Sequence, residues 1–219
     1  SGPETWSVCA AGARVVVRAG DAPAELAGDE AVLAAADGRE WVVTAAGRTQ
    51  LPSADDPAGR LLRRALGIDA STPRWRPPAQ VLNAIAEQPP FALPSPPPRV
   101  LHTEAGWWIL VDAAVQRVAD LQGQLLADAS FPPTPIKRTD EAELAAYPDL
   151  DPPLDLRLPA AAPRWVDPGE RAVCAGPAGG GASASLGVAT AGAVELPGDG
   201  AATHFAGLRA GAVAVDSGY

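Results

Sequence analysis

Two cysteines, two histidines, two close pairs of aspartates and one glycine-rich loop are the residues of this chain whose types and spacing admit chemistry. Cys9 and Cys174 fit either a disulfide or two buried thiols; further ligands of the kind a zinc site needs do not accompany them. Each cysteine lies beside a segment with strand character, so a Cys9–Cys174 disulfide is the expected pairing, in an oxidising compartment. His102 stands in an expected strand and His204 in an expected loop beside Phe205. A Ser-His-Asp site needs a nucleophile on a defined turn, and no Gly-x-Ser-x-Gly occurs. Asp55-Asp56 and Asp149-Leu150-Asp151 have the composition of a glycosidase acid pair. The first reads better as a helix start and the second as a proline-rich turn. The loop from Gly176 to Ser183 lacks the lysine of a phosphate loop and runs into strand-like sequence, so it reads as a flexible turn. No catalytic, cofactor-binding or metal-binding residue is assigned, and no cofactor is expected.

The bulk composition agrees with a non-catalytic role. A net charge of −9 excludes the basic footprint of a nucleic-acid binder. The chain has 22 glycines and 24 prolines among 219 residues, which implies many turns and short elements. Apolar runs stay well short of a membrane span. The sequence opens Ser1-Gly2-Pro3 and contains no methionine, and reads as a fragment of a longer protein.

The elements that must carry these residues read as α+β. Ala13 to Arg18 is an expected strand. Ala31 to Ala36 and Arg39 to Thr44 flank Asp37-Gly38, a hairpin signal, and a short strand from Thr49 to Leu51 follows. Asp56-Pro57 opens a helix with Ala58, Leu61, Leu62, Ala65 and Leu66 on one face, and Gly67 closes it. A second helix starts near Pro77-Pro78 and turns Val81, Leu82 and Ile85 inward. Pro94 to Pro98 is an extended linker.

Beyond that linker the pattern starts again. Val100-Leu101 matches Val32-Leu33, and Trp108-Ile109-Leu110-Val111 matches Trp41-Val42-Val43-Thr44. Thr134-Pro135-Ile136-Lys137-Arg138 matches Thr72-Pro73-Arg74-Trp75-Arg76 and continues without a gap to Leu144 against Leu82. Two tandem repeats are expected, at 31–94 and 99–159, inserted into a central sheet formed by 1–30 and 165–219. The expected tail strands are Ser185 to Ala189, Ala193 to Leu196 and Ala212 to Val215. Each repeat is too small to bury its apolar face alone. Trp41 and Trp108 occupy matching positions and are assigned to the core. Trp75 and Trp107 have no aromatic counterpart and are the candidate exposed partner contacts.

The run Trp41-Val42-Val43-Thr44, Gly47-Arg48-Thr49-Gln50-Leu51-Pro52, Asp56-Pro57-Ala58, Leu62-Arg63-Arg64-Ala65-Leu66-Gly67, Thr72-Pro73 and Val81-Leu82-Asn83-Ala84 resembles EccB, the B component of the actinobacterial type VII (ESX) secretion machinery. Cys9 before a valine-rich strand, Cys174 after the repeats, and Gly211 to Asp216 are similar too. The resemblance implies a single-pass membrane protein with a large, elongated periplasmic part, repeats around a central sheet, and a disulfide in that sheet. It implies a scaffold for protein export that contacts copies of itself and other membrane components. The rival readings are a peptidoglycan-binding module in contact with the cell wall, and a nucleotide hydrolase.

Overall fold

The structure is a computed structural model that describes residues 5–11, 14–20, 23–129, 137–176, 182–186, 194–196, 200 and 202–206. The strand expected at Ala212 to Val215, the loop residues 177–181, and Thr134 to Ile136 lie outside the described residues. The class is α+β, as the sequence implies. In chain order the elements begin with β1 Thr5–Ala11, β2 Arg14–Gly20, β3 Glu30–Ala36, β4 Arg39–Thr44 and β5 Gly47–Gln50. Next come α1 Pro57–Ala65, β6 Arg74–Trp75, α2 Ala79–Asn83 and β7 Glu87–Gln88. The following stretch holds β8 Arg99–Thr103, β9 Gly106–Val111, β10 Ala114–Val118, α3 Asp120–Ala129, β11 Lys137–Arg138 and α4 Glu141–Leu144. Last are β12 Arg164–Trp165, β13 Arg171–Ala175, β14 Ala182–Leu186, β15 Val194–Glu195 and β16 His204–Ala206.

Both ends of the chain build one sheet, in the order β14-β13-β1-β2-β16-β15. Alternation along β1 and β2 sends Ala10 and Val15 to one face and Cys9 and Val16 to the other. The first face shares a core with Val32, Val43, Trp41, Val81, Leu82 and Ile85. A second sheet runs β12-β3-β4-β5-β7. Two short strands lie along the same edge of β3: β12 beside Glu30 and Ala31, β6 beside Leu33 and Ala34. The β3–β4 turn is the expected Asp37-Gly38 pair, with φ of 50° and 71°. Positive φ at both positions matches the right-handed twist of the flanking strands. Helix α2 turns Val81 and Leu82 into the core, and Gly67 takes a φ of 67° beyond α1, both as the pattern requires.

The third sheet, β10-β9-β8-β11, lies in a separate compact unit. One unit comprises Ser1–Thr49, Pro73–Gln88 and Arg164–Tyr219; the other comprises Gln50–Thr72 and Pro89–Pro163. Helices α1 and α3 pack together in the second unit. These units cross the boundaries read from the sequence, because α1 falls in one unit while the strands before it fall in the other. The hairpin β3–β4 shares its core with the central sheet and so does not stand apart from it.

The two stretches written alike in sequence also pair alike. Ala34 faces Trp41 and Trp75, and Leu101 faces Trp108 and Lys137, with the same strand senses. Arg48 runs parallel to Glu87, and Val115 to Asp149. This register sets Leu101 against Ala34, one residue away from the match on Val32-Leu33. Both hairpin turns have two residues, with Gly106 already in β9, so apolar matching alone slipped the strand by one position.

Candidate functional site

Cys9 and Cys174 sit directly opposite each other on the antiparallel strands β1 and β13, both buried, and are joined by a disulfide. The bridge links residues 165 apart in sequence, so it ties the first strand of the chain to the tail. It rests in a small-residue face with Val16, Ala172 and Ala206.

A second tie joins the same regions by charge. Glu30, 5% exposed at the start of β3, accepts from the Ala27 amide at 2.9 Å and from Arg171 Nη1 at 2.7 Å. Arg164 Nη2 lies 2.8 Å from the same carboxylate, and Arg164 Nε 3.6 Å from Asp29. The Ala27 hydrogen bond, opposed by burial and reinforced by the Arg171 guanidinium, holds the Glu30 carboxyl below its usual value of 4.5. Sequence reading starts the strand at Ala31, singles out neither Asp29 nor Glu30, and misses this hub. Its only local sign is a charged residue at the head of an apolar strand.

The tryptophans divide differently from expectation. Trp75, assigned to the surface, is 3% exposed and lies in the main core with Trp41, Val81 and Ile85. Pairing with β3 directs its side chain inward, so the absence of an aromatic at the matching Lys137 carried no information about exposure. Trp41 is buried, as assigned. Trp107 is half-buried on β9. Its ring lies 4.4 Å from that of His102, and its side chain packs against α3 at Gly123. A Cβ at Gly123 would come within 2.5 Å of the Trp107 side chain. Gly123→Ala therefore trades a helix-propensity gain of about 1 kcal/mol against overpacking of about 2–3 kcal/mol. A net loss of about 1–2 kcal/mol with a shifted tryptophan emission maximum is expected in denaturant titration.

One recess carries a built set of polar groups. It has a volume of about 320 Å³ and is lined by Asp37 of the β3–β4 turn, Arg39 at the start of β4, Trp41, Arg48, Leu82, Asn83 and Glu87. The Arg48 guanidinium stacks 4.7 Å over the Trp41 ring. It donates through Nη1 to Asn83 Oδ1 at 2.8 Å and through Nη2 to Glu87 Oε2 at 3.0 Å. Arg48 is 9% exposed, and its Nε has no acceptor among the described residues.

The remaining candidates take ordinary structural places. His102 is in β8 against Trp107; His204 belongs to strand β16, not to a loop, and pairs with Val16 of β2. Asp56 precedes α1 without a side-chain cap, and Asp149 bridges to Val115. Among the described residues no group of three or more His, Cys, Asp or Glu could hold a metal ion. No described helix is long and apolar enough to cross a membrane.

The family model described as "Type VII secretion system ESX-1, transport TM domain B" matches residues 1–219. No curated protein matches the chain. Among solved structures, the chain is similar to the periplasmic assembly of an ESX-5 inner membrane complex, with TM-score 0.69 and 20% identity, over 93% of this chain and 60% of that one. It is similar to the EccB3 dimer from an ESX-3 core complex, with TM-score 0.68 and 19% identity, over 94% of this chain and 63% of that one. An intact ESX-5 inner membrane complex gives TM-score 0.67 at 20% identity, over 93% and 52%. At such identities the likeness is one of fold, and this chain spans 52–63% of the length of those chains.

Proposed function

We propose, from the premise that this chain belongs to the EccB family of the type VII secretion system, that it is a non-catalytic periplasmic scaffold of the secretion membrane complex. The whole protein is anchored by a single membrane span, and this part holds copies of itself and other membrane components together for protein export. The observation that carries the reading is the closure of the central sheet by both ends of the chain, tied by the buried Cys9–Cys174 bridge and the Glu30 hub. Such a double tie suits a part that bears load between partners, because it resists local opening. The histidines and acidic pairs take packing, ladder and helix-start places, which favours structure over catalysis. We further propose that 31–94 and 99–159 arose by duplication, since their ladders pair position for position, and that half-buried Trp107 belongs to a partner-contacting face.

The test is co-purification. A tagged full-length protein expressed with the other membrane components is expected to bring them down together with untagged copies of itself. Recovery of the tagged protein alone, in a detergent that keeps the remaining components associated, would sink the scaffold reading. Specific retention on purified peptidoglycan without those components would favour the cell-wall reading instead. Nucleotide hydrolysis abolished by a single substitution would favour the hydrolase.

A further inference from the structure

The two matching stretches share backbone pairing but differ in chemistry at one place. Arg48 beside Glu87 has as its counterpart Val115 beside Asp149. By the same register, Arg39 corresponds to Gly106 and Asp37 to Glu104. On the helices Leu82 corresponds to Leu144, and so Asn83 to Ala145. In the second stretch Val115 is buried against Leu101 and Leu144, an ordinary apolar filling. The architecture therefore closes with an aliphatic side chain at this position. The first stretch instead buries a guanidinium whose Nε has no acceptor among the described residues, an arrangement that costs free energy. Both stretches keep the two acids; at these positions the first adds two guanidiniums and an amide, where the second has Gly106, Val115 and Ala145 and holds the Arg117 guanidinium over its own hairpin turn.

We infer that this recess is a docking site for a single carboxylate side chain presented by a protein partner. Arg39, exposed at the hairpin tip and without an ion pair among the described residues, receives the carboxylate. Asn83 accepts from Arg48 through Oδ1, which leaves its two N–H donors for the incoming group. The stacked Trp41–Arg48 pair forms the floor. A guanidinium fork suits a carboxylate, whereas Asp37 and Glu87 in the same wall repel a dianionic phosphate. That the carboxylate comes from a protein rests on the scaffold reading; the site's preference for a carboxylate does not.

The probe is an end-capped tripeptide with one central glutamate, titrated into the ¹⁵N-labelled chain. The indole N–H signal of Trp41 is expected to shift saturably by about 10 mM peptide, and less at high salt. Matching peptides with central glutamine or lysine are expected to leave it in place. Arg39→Gly and Asn83→Ala, which install the second stretch's residues at exposed positions, are each expected to weaken binding about tenfold, the scale of a lost charged hydrogen bond. Arg48→Val should abolish it while the other indole signals stay dispersed. The idea is overturned by an unshifted Trp41 signal, by an equal response to glutamine or lysine, by tighter binding of a phosphoserine peptide, or by variants that bind like the wild type. Failed co-purification with intact peptide binding would remove the scaffold reading and keep the site; the reverse result would remove the site alone.

Discussion

Replacing Cys9 and Cys174 together with alanine is expected to lower the unfolding free energy by about 5 kcal/mol, the chain-entropy value for so long a closed loop. The bridge spans 165 residues, so the denatured chain loses a large share of its freedom while oxidised. The folded state changes little, because β1 and β13 stay hydrogen-bonded on both sides of the cysteine pair, from Val8↔Ala175 to Ala10↔Val173. The loss therefore acts through the unfolded ensemble. Two signatures follow in denaturant titration without reductant. The midpoint falls, and the slope m rises because an uncrosslinked chain exposes more surface on unfolding. Wild-type protein with the bridge reduced should track the double variant. A difference below about 1 kcal/mol between oxidised wild type and variant contradicts the entropic account. The effect is large enough to threaten folding at all, since total domain stability is about 5–15 kcal/mol.

Glu30→Gln is expected to cost about 3 kcal/mol, at the low end for breaking a buried ion pair by deleting one partner, because the Arg164 side chain is 61% exposed and keeps some hydration. Glutamine keeps the shape and can still accept from Ala27, so the loss isolates the charge. Arg171, with its side chain 19% exposed, is left as a cation with less water and no carboxylate. The pH dependence has a definite sign. Glu30 has a folded-state pKa depressed below 4.5, so its contribution is fully present above that value and is lost as pH falls through the depressed one. The stability gap between wild type and Glu30→Gln should be flat from neutrality to about pH 5 and close under more acidic conditions. A gap that persists unchanged at strongly acidic pH points to packing and not to charge.

The hub also marks a limit of sequence reading. Arg171 is 141 positions from Glu30, and nothing in the local pattern of either residue names the other. Two cysteines in a chain are different: each has one possible partner, so the bridge was legible once both flanks read as strands. The Asp37-Gly38 turn and α1 after Asp56-Pro57 were legible for a local reason, since positive φ and the 3.6-residue period leave their marks within a few residues. Trp75 shows the opposite case. Its strand is two residues long, too short for an alternation to show, and only pairing with β3 decides which way its ring points.

The arrangement at Arg48 lies between these cases. The repeat made Trp41 and Trp108 equivalent from sequence, and with them the expectation that both are core. That Arg48 stacks on Trp41 and meets Asn83 and Glu87 across three separate elements came only from the fold. By itself the chain determined its α+β class, its hairpin turn, its first two helices, its internal likeness and its disulfide, because each is set by neighbours in sequence or by having a single partner. The tertiary structure alone decided the Glu30 hub, the inward Trp75, the one-residue register of β8 and the polar recess. Each of these depends on which distant strand lies alongside, and that is settled by burying shared apolar faces across the whole chain, beyond the reach of any local pattern.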